Sequence, residues 1–281
     1  MRKKNISLSV LYYMISVVLA IVLVFPFLYM LLRSVMTTEQ IMVRPVQLFP
    51  KEIIFDSYKD MFVGEGGYGA ALLQTVKIVG FNMIAVPLSG AFVAYGFARM
   101  RFPGRNVVFA IMLSTMMIPG AVLQVPLYVM FTDFGWTETI MPLTLPNLFG
   151  GGAVYIFLIR QYMRGLPKEI EEAGMIDGAN PYTRFLLLIL PLCVPVLIYI
   201  IVNVFNAGWW DFYGPLIYMS TTDNPTLAFK VFNEAIYADV AATKENNRMA
   251  AGVFMSVLPV ILFIVFQKQL IEGVAVSSLK G

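Results

Sequence analysis

The sequence predicts an all-α, polytopic membrane protein with six transmembrane helices and both termini on the cytoplasmic side. Three observations carry this. Hydrophobic residues make up 59% of the 281 residues and charged residues only 13%, with a mean hydropathy of +0.76; a soluble domain carries about 25% charged residues. The apolar residues gather in six runs, about 8–32, 70–98, 106–131, 142–163, 185–206 and 249–267, each close to or above the roughly 20 residues that one crossing needs. The basic residues then favour one side of the implied bilayer. The whole chain, 1–281, reads as a single transmembrane domain.

The first run follows Met1-Arg2-Lys3-Lys4, which resembles the basic start of a signal peptide. It exceeds the roughly 7–15 apolar residues of such a peptide and no small-x-small cleavage site follows, so it is expected to be retained as a signal anchor. The second run holds Pro87, a candidate kink, and Lys77 near its outer end, where a lysine can snorkel. Pro119 marks a similar kink in the third. Pro142, Pro146 and Gly150-Gly151-Gly152 interrupt the fourth. Non-helical backbone at membrane depth needs protein or a water-filled cavity to solvate it, so this run is expected to line a pathway rather than face lipid. The fifth carries Cys193, the only cysteine, between Pro191 and Pro195, where it reads as a buried packing thiol. One cysteine and no histidine exclude an internal disulfide and argue against a Cys/His metal site.

Six crossings place both termini on one side, and basic residues choose the cytoplasm. Arg2, Lys3, Lys4, Arg99, Arg101, Arg105, Arg160, Arg164, Lys168, Arg184, Lys268 and Lys280 share that side, twelve of the 20 basic residues. The outer connections are then about 33–69 and 207–248. The first contains Ile53, Phe55 and Tyr58 in a short, amphipathic piece, and the second carries Trp209-Trp210-Asp211 and Tyr213-Gly214-Pro215. Aromatics there read as an interfacial belt, with contact to a ligand or external partner as the competing reading.

Leu166–Pro195 is a polar, charge-rich island between apolar runs, and its punctuation describes a helix–turn–helix knob. Pro167 suits a first helical turn. Ile170, Ala173 and Gly174 give one small face. Gly178 stops the helix, and Asn180-Pro181 reads as N-cap and first-turn proline of a second helix running into the fifth span. A docking surface is the natural use for such a knob. The spans carry no mid-membrane acid or histidine of the kind that binds a coupling ion. The chain also lacks a GxxxxGK[ST] phosphate loop. Uphill transport would therefore need an energy-coupling partner.

The knob also resembles a known motif. Glu172-Ala173-Gly174, three residues, Gly178, nine residues, then Leu188-x-Leu190-Pro191 is similar to the EAA loop of bacterial ABC importer permeases. The longer form from Pro167 through Glu169, Ile170, Glu171, Glu172 and Ala173 to Asp177-Gly178-Ala179 resembles the carbohydrate-uptake branch, the maltose-permease type. Trp210-Asp211-Phe212-x-x-Pro215-Leu216, Thr226-Leu227 and the tail Gly273-x-x-x-Ser277-Ser278-Leu279-Lys280-Gly281 agree with that branch. The motif's second alanine is replaced by Gly174, which costs about 1 kcal/mol of helix propensity.

The resemblance implies an ABC importer type I permease fold and a non-catalytic permease subunit for a sugar or oligosaccharide. It implies a second, homologous permease chain, two cytoplasmic ATPases that hold ATP and Mg, and an extracytoplasmic sugar-binding protein, with no cofactor on this chain and no nucleic acid. Loop 164–184 would couple to the ATPase through Glu169, Glu171, Glu172, Ala173, Gly174, Asp177 and Gly178, with Asp177 able to tie the turn internally. Ser278, Lys280 and Gly281 would form a tail contact. Sugars are held by aromatic platforms, amides and hydroxyls, which makes Asn82, Gln124, Tyr128, Asn147, Tyr155, Asn203 and Asn206 the substrate-path candidates. Buried amides also bond neighbouring helices. The alternatives are an ion-coupled carrier or channel acting without an ATPase, and a membrane scaffold.

Overall fold

The structure, a computed structural model, describes residues 6–62, 67–237 and 245–278, and among them every regular element is helical. The order is α1 (Ile6–Ser34), the short α2 (Thr38–Met42) and α3 (Asp56–Phe62), then α4 (Gly69–Arg99). After α5 (Arg105–Ser114) and α6 (Gly120–Asp133), the short α7 (Met141–Thr144) continues as a 3-10 stretch, Leu145–Phe149, before α8 (Ala153–Gly165). Helices α9 (Glu169–Ile176) and α10 (Pro181–Thr183) build the knob. A π-helical turn, Arg184–Ile189, leads through α11 (Leu190–Leu192) into α12 (Val194–Trp209). Last come α13 (Tyr213–Tyr218), α14 (Leu227–Tyr237) and α15 (Glu245–Ser278). The expected tail contacts Lys280 and Gly281 lie outside the described residues, as do Arg2, Lys3 and Lys4. Ser278 closes α15, with its side chain outside them too.

Four segments are long and apolar enough to cross a membrane: Val10–Ser34, Gly69–Arg99, Met141–Gly165 and Glu245–Gln269. Two bent pairs raise the number to six if each counts as one crossing. They fall in the expected runs 106–131, where Pro119 marks a kink, and 185–206. Arg105–Met117 meets Gly120–Asp133 at 98°, and Pro181–Leu192 meets Val194–Trp209 at 74°. The first break has a direct cause, because Pro119 forces Ile118 out of the helical region to φ −81°, ψ 117°. At the second, Pro191 and Pro195 remove backbone donors on both sides of Cys193, whose ψ of −1° ends one helix and starts the next. Helix α4 runs through Pro87 without a break.

The chain divides into two compact units, Met1–Gly69 with Val231–Leu258 and Ala70–Lys230 with Pro259–Gly281. In the first, Met36, Met61, Ala250 and Ala251 are buried, and Phe62 meets Phe254 edge to face. Polar ties add to this packing. Ser34 and Tyr58 hydroxyls lie 2.7 Å apart, the Tyr68 hydroxyl donates to Glu234, and Arg248 pairs with Glu245. Burial and the Glu234 carboxylate raise the Tyr68 phenol well above its ordinary range. Helix α1 is exposed along most of its length. A helix apolar on every side needs an apolar surrounding.

The second unit has its core where α4, α8, the π turn and α12 meet. Ala91, Ala94, Ile159, Met163, Ile189, Cys193 and Ile200 are among its buried residues. Cys193 is thus the packing thiol its composition suggests.

Candidate functional site

The knob begins with Glu169, Glu171 and Glu172 in the first turn of α9, where carboxylates stabilise the positive end of the helix dipole. It ends in a paired turn. The Gly178 N–H donates to Met175 O at 3.1 Å and the Ala179 N–H to Gly174 O at 2.8 Å, the Schellman arrangement. Gly178 sits at φ +79°, where any other L-residue costs roughly 1–2 kcal/mol. Asn180 caps the next helix, its Oδ1 accepting from the Thr183 N–H at 2.9 Å. The expected internal tie from Asp177 is not made through its carboxylate. That side chain is exposed, and its backbone N–H closes the turn onto Ala173 O.

Gly174 is buried against the second helix. A Cβ there would lie 2.6 Å from Leu188 Cδ1 and 3.4 Å from Arg184 Cγ, so the glycine brings α9 against the π turn. Glu171 differs from the expectation of an outward acceptor. Only 8% exposed, it lies 3.1 Å from Arg99 Nε and accepts a hydrogen bond from the Tyr95 hydroxyl at 2.9 Å. Arg99 also donates to Met163 O and Leu166 O at 2.6 and 2.9 Å. Glu171 therefore fastens the knob to α4. Exposed on the knob are Glu169, Glu172, Ala173, Asp177 and Gly178, together with apolar Met175, Ile176 and Tyr182. Ile176, 87% exposed, stands next to Asp177-Gly178 and is not among the residues singled out from the sequence.

A cavity of about 330 Å³ opens in the same unit, lined by Thr75, Asn82, Asn147, Tyr155, Asp211 and Thr226 among others. The interrupted fourth run forms one wall, through Pro142, Leu143, Asn147 and Gly151. Asn82 Nδ2 donates to Leu143 O at 2.9 Å. Asn147 Nδ2 donates to Asn82 Oδ1 at 3.1 Å and to Leu143 O at 3.2 Å. Ser89 accepts from the Gly150 N–H at 3.1 Å. These bonds satisfy backbone that a continuous helix would have satisfied itself.

Three of the seven path candidates, Asn82, Asn147 and Tyr155, line this cavity. The other four do not. Gln124 accepts from the Tyr213 hydroxyl at 2.8 Å, and Tyr128 stacks on Tyr218. Asn203 and Asn206 donate back to Tyr199 O and Val202 O on their own helix. Thr75 and Asp211 were missed. Thr75 lies two turns before Asn82, on the same helix face, and its hydroxyl accepts from the Leu227 N–H at 2.8 Å.

Asp211 accepts from the Tyr213 and Gly214 N–H groups at 3.1 and 2.9 Å. Burial nonetheless raises its carboxyl above the usual range, against the pull of those two bonds. Trp209 departs from the interfacial-belt reading, being 2% exposed and stacked on Phe205. Among the described residues no group of three His, Cys, Asp or Glu side chains could hold a metal ion.

The family described as binding-protein-dependent transport system inner membrane component matches residues 85–276. The arabinooligosaccharides transport system permease protein AraQ of Halalkalibacterium halodurans is 31% identical over 94% of this chain and 93% of its own. The galactooligosaccharides transport system permease protein GanQ of Bacillus subtilis is 28% identical over 96% and 94%. A solved chain of a bacterial ABC transporter involved in import of the acidic polysaccharide alginate superposes with a TM-score of 0.77 at 18% identity, covering 95% of this chain and 98% of that one.

Proposed function

From the premise that this chain belongs to the binding-protein-dependent transport system inner membrane components and is a permease subunit of an ABC importer, we propose that its cargo is a sugar or oligosaccharide and that the α9 knob couples it to an ATPase. The observation that carries the coupling is the form of the knob. Its inward face is held by the Arg99–Glu171 pair and by Gly174, while Met175, Ile176 and Tyr182 stand exposed. A rigid, apolar-centred patch with a charged rim suits a protein groove.

In this reading residues 1–281 act as one permease domain in the plasma membrane, with both termini and loop 164–184 cytoplasmic. The chain forms half of the translocation pathway with a second, homologous permease chain. Two ATPase subunits bind ATP and magnesium, and an extracytoplasmic sugar-binding protein delivers the cargo. Closure of the ATPases moves the knobs, and the bent α5–α6 and α11–α12 pairs carry that movement into the pathway. Asn82, Asn147 and Tyr155 supply amides and a ring for the sugar. Choice among sugars rests with the binding protein.

Cys193 is buried and no other cysteine is present, so Ile176→Cys offers one accessible thiol. In the assembled transporter it should cross-link to the ATPase, whereas Phe49→Cys, 71% exposed in the native chain at that position, should not. Labelling of both sites without ATPase cross-linking would remove the docking assignment.

A further inference from the structure

Beside the knob lies a larger hollow, about 900 Å³, bounded by the end of α4, Met100 and Arg101, the start of α5, Arg164, Lys168 and the second helix. Arg99, Arg101, Arg105, Arg164, Lys168 and Arg184 line it, against only Glu171 and Glu172. Glu171 and Arg99 are committed to each other. The five remaining cations thus face one exposed carboxylate, and none of them has a carboxylate partner among the described residues. Arg105 spends one N–H on Met100 O at 2.9 Å. The Arg184 Nε is buried with no hydrogen-bond partner. Like charges gathered in a concavity repel one another and focus a positive field. Such an arrangement calls for an anion.

The surroundings say which kind. A second hollow of about 370 Å³ shares Arg101 and Arg105 and adds Phe102, Gly104, Asn106 and Val107. From there the apolar face of α5 runs on, with Val107, Val108 and Ile111 exposed by 63, 49 and 61%. Leu186 and Leu187 are exposed on the other flank. Basic side chains at the ends of apolar helices, beside bare hydrocarbon, fit an amphiphile better than a free ion. We propose that this hollow binds the headgroup of an anionic phospholipid, with its acyl chains along α5. Such basic pockets at the cytoplasmic ends of membrane helices suit phosphate headgroups.

The inference rests on the cytoplasmic placement of the knob given under Proposed function. A lipid held there touches both the α4–α5 connection and Lys168 beside α9, so it fills the space between the membrane ends of the helices and the coupling element. Glu172 also lines the hollow, and Arg101, Arg105, Arg164, Lys168 and Arg184 outnumber it five to one around the bound phosphate.

The test is native mass spectrometry of the full chain in detergent, offered phosphatidylglycerol, phosphatidylcholine or inorganic phosphate. The wild type should retain phosphatidylglycerol over phosphatidylcholine, and inorganic phosphate should not displace it. Arg101→Gln, Arg105→Gln and Arg164→Gln together should abolish that preference, at roughly fivefold in affinity per residue. Lys51→Gln with Lys59→Gln, two exposed lysines elsewhere, should leave it intact. Equal retention of the two lipids by the wild type, or an unchanged preference in the triple variant, would overturn the proposal. Displacement by inorganic phosphate would overturn the lipid assignment. Loss of bound lipid when the ATPase is added would assign the hollow to that partner and overturn it too. No transport is read in this experiment, so it can fail while the ATPase cross-link at position 176 succeeds, and the reverse.

Discussion

At the scale of single residues, Gly174 and Gly178 play different parts. Gly174 serves contact: the atom a Cβ would strike is the end of the rotatable Leu188 side chain. Gly174→Ala should therefore be tolerated, with helix propensity gained by about 1 kcal/mol offsetting a shifted methyl group. Gly174→Leu should push α9 off the π turn, read as lost uptake and faster proteolysis at the knob. Glu171 and Arg99 are a buried pair, with side chains only 10% and 7% exposed. Glu171→Gln should destabilise the chain by about 3–5 kcal/mol, the range for stranding one buried charge, and adding Arg99→Gln should recover part of that loss. A thermal-unfolding cycle over the four variants checks it, and strict additivity would contradict the pairing. Asp211 binds its proton more tightly in the folded chain than in the unfolded one, so its contribution to stability falls as pH rises through the carboxylate range. Asp211→Asn should flatten that part of the stability–pH profile.

At the scale of elements, the interrupted fourth run explains the cavity. Pro142, Pro146 and three glycines leave backbone groups that the chain must satisfy sideways, and Asn82 and Asn147 do so. Asn82→Leu removes the acceptor of Asn147 and a donor to Leu143 O. It should cost about 1–3 kcal/mol for the unsatisfied groups and reduce uptake, measured by thermal unfolding and sugar transport. The knob, α4 and the broken run were legible in the sequence, because proline, glycine and capping residues act locally. The bends at Ile118 and Cys193 were only half legible. Pro119 was visible as a kink, but its 98° angle depends on what packs around it. Glu171 could not be told from Glu169 and Glu172 by spacing alone, since its inward turn needs Arg99 and Tyr95 from a helix more than 70 positions earlier in the chain. The path candidates divided for a similar reason. An asparagine on an apolar helix bonds either its own carbonyls, as Asn203 and Asn206 do, or a neighbour's, and only the fold decides which.

At the scale of the molecule, an importer permease must transmit force from a cytoplasmic engine to a path it lines. Here a stiff knob, stopped by Gly178 and fastened through Glu171, continues through a π turn into the bent α11–α12 pair that walls the cavity. This knob is the proposed coupling element. Gly178→Val puts a β-branched residue at φ +79°, where strain changes the turn and therefore the pose of the outward face. The decisive measurement is ATP hydrolysis alongside sugar uptake by the transporter reconstituted with this variant, its binding protein and ATPase. If the knob couples, the variant complex should assemble, hydrolyse ATP without binding-protein stimulation and take up little or no sugar. Uptake at the wild-type rate, with stimulation intact, would contradict it.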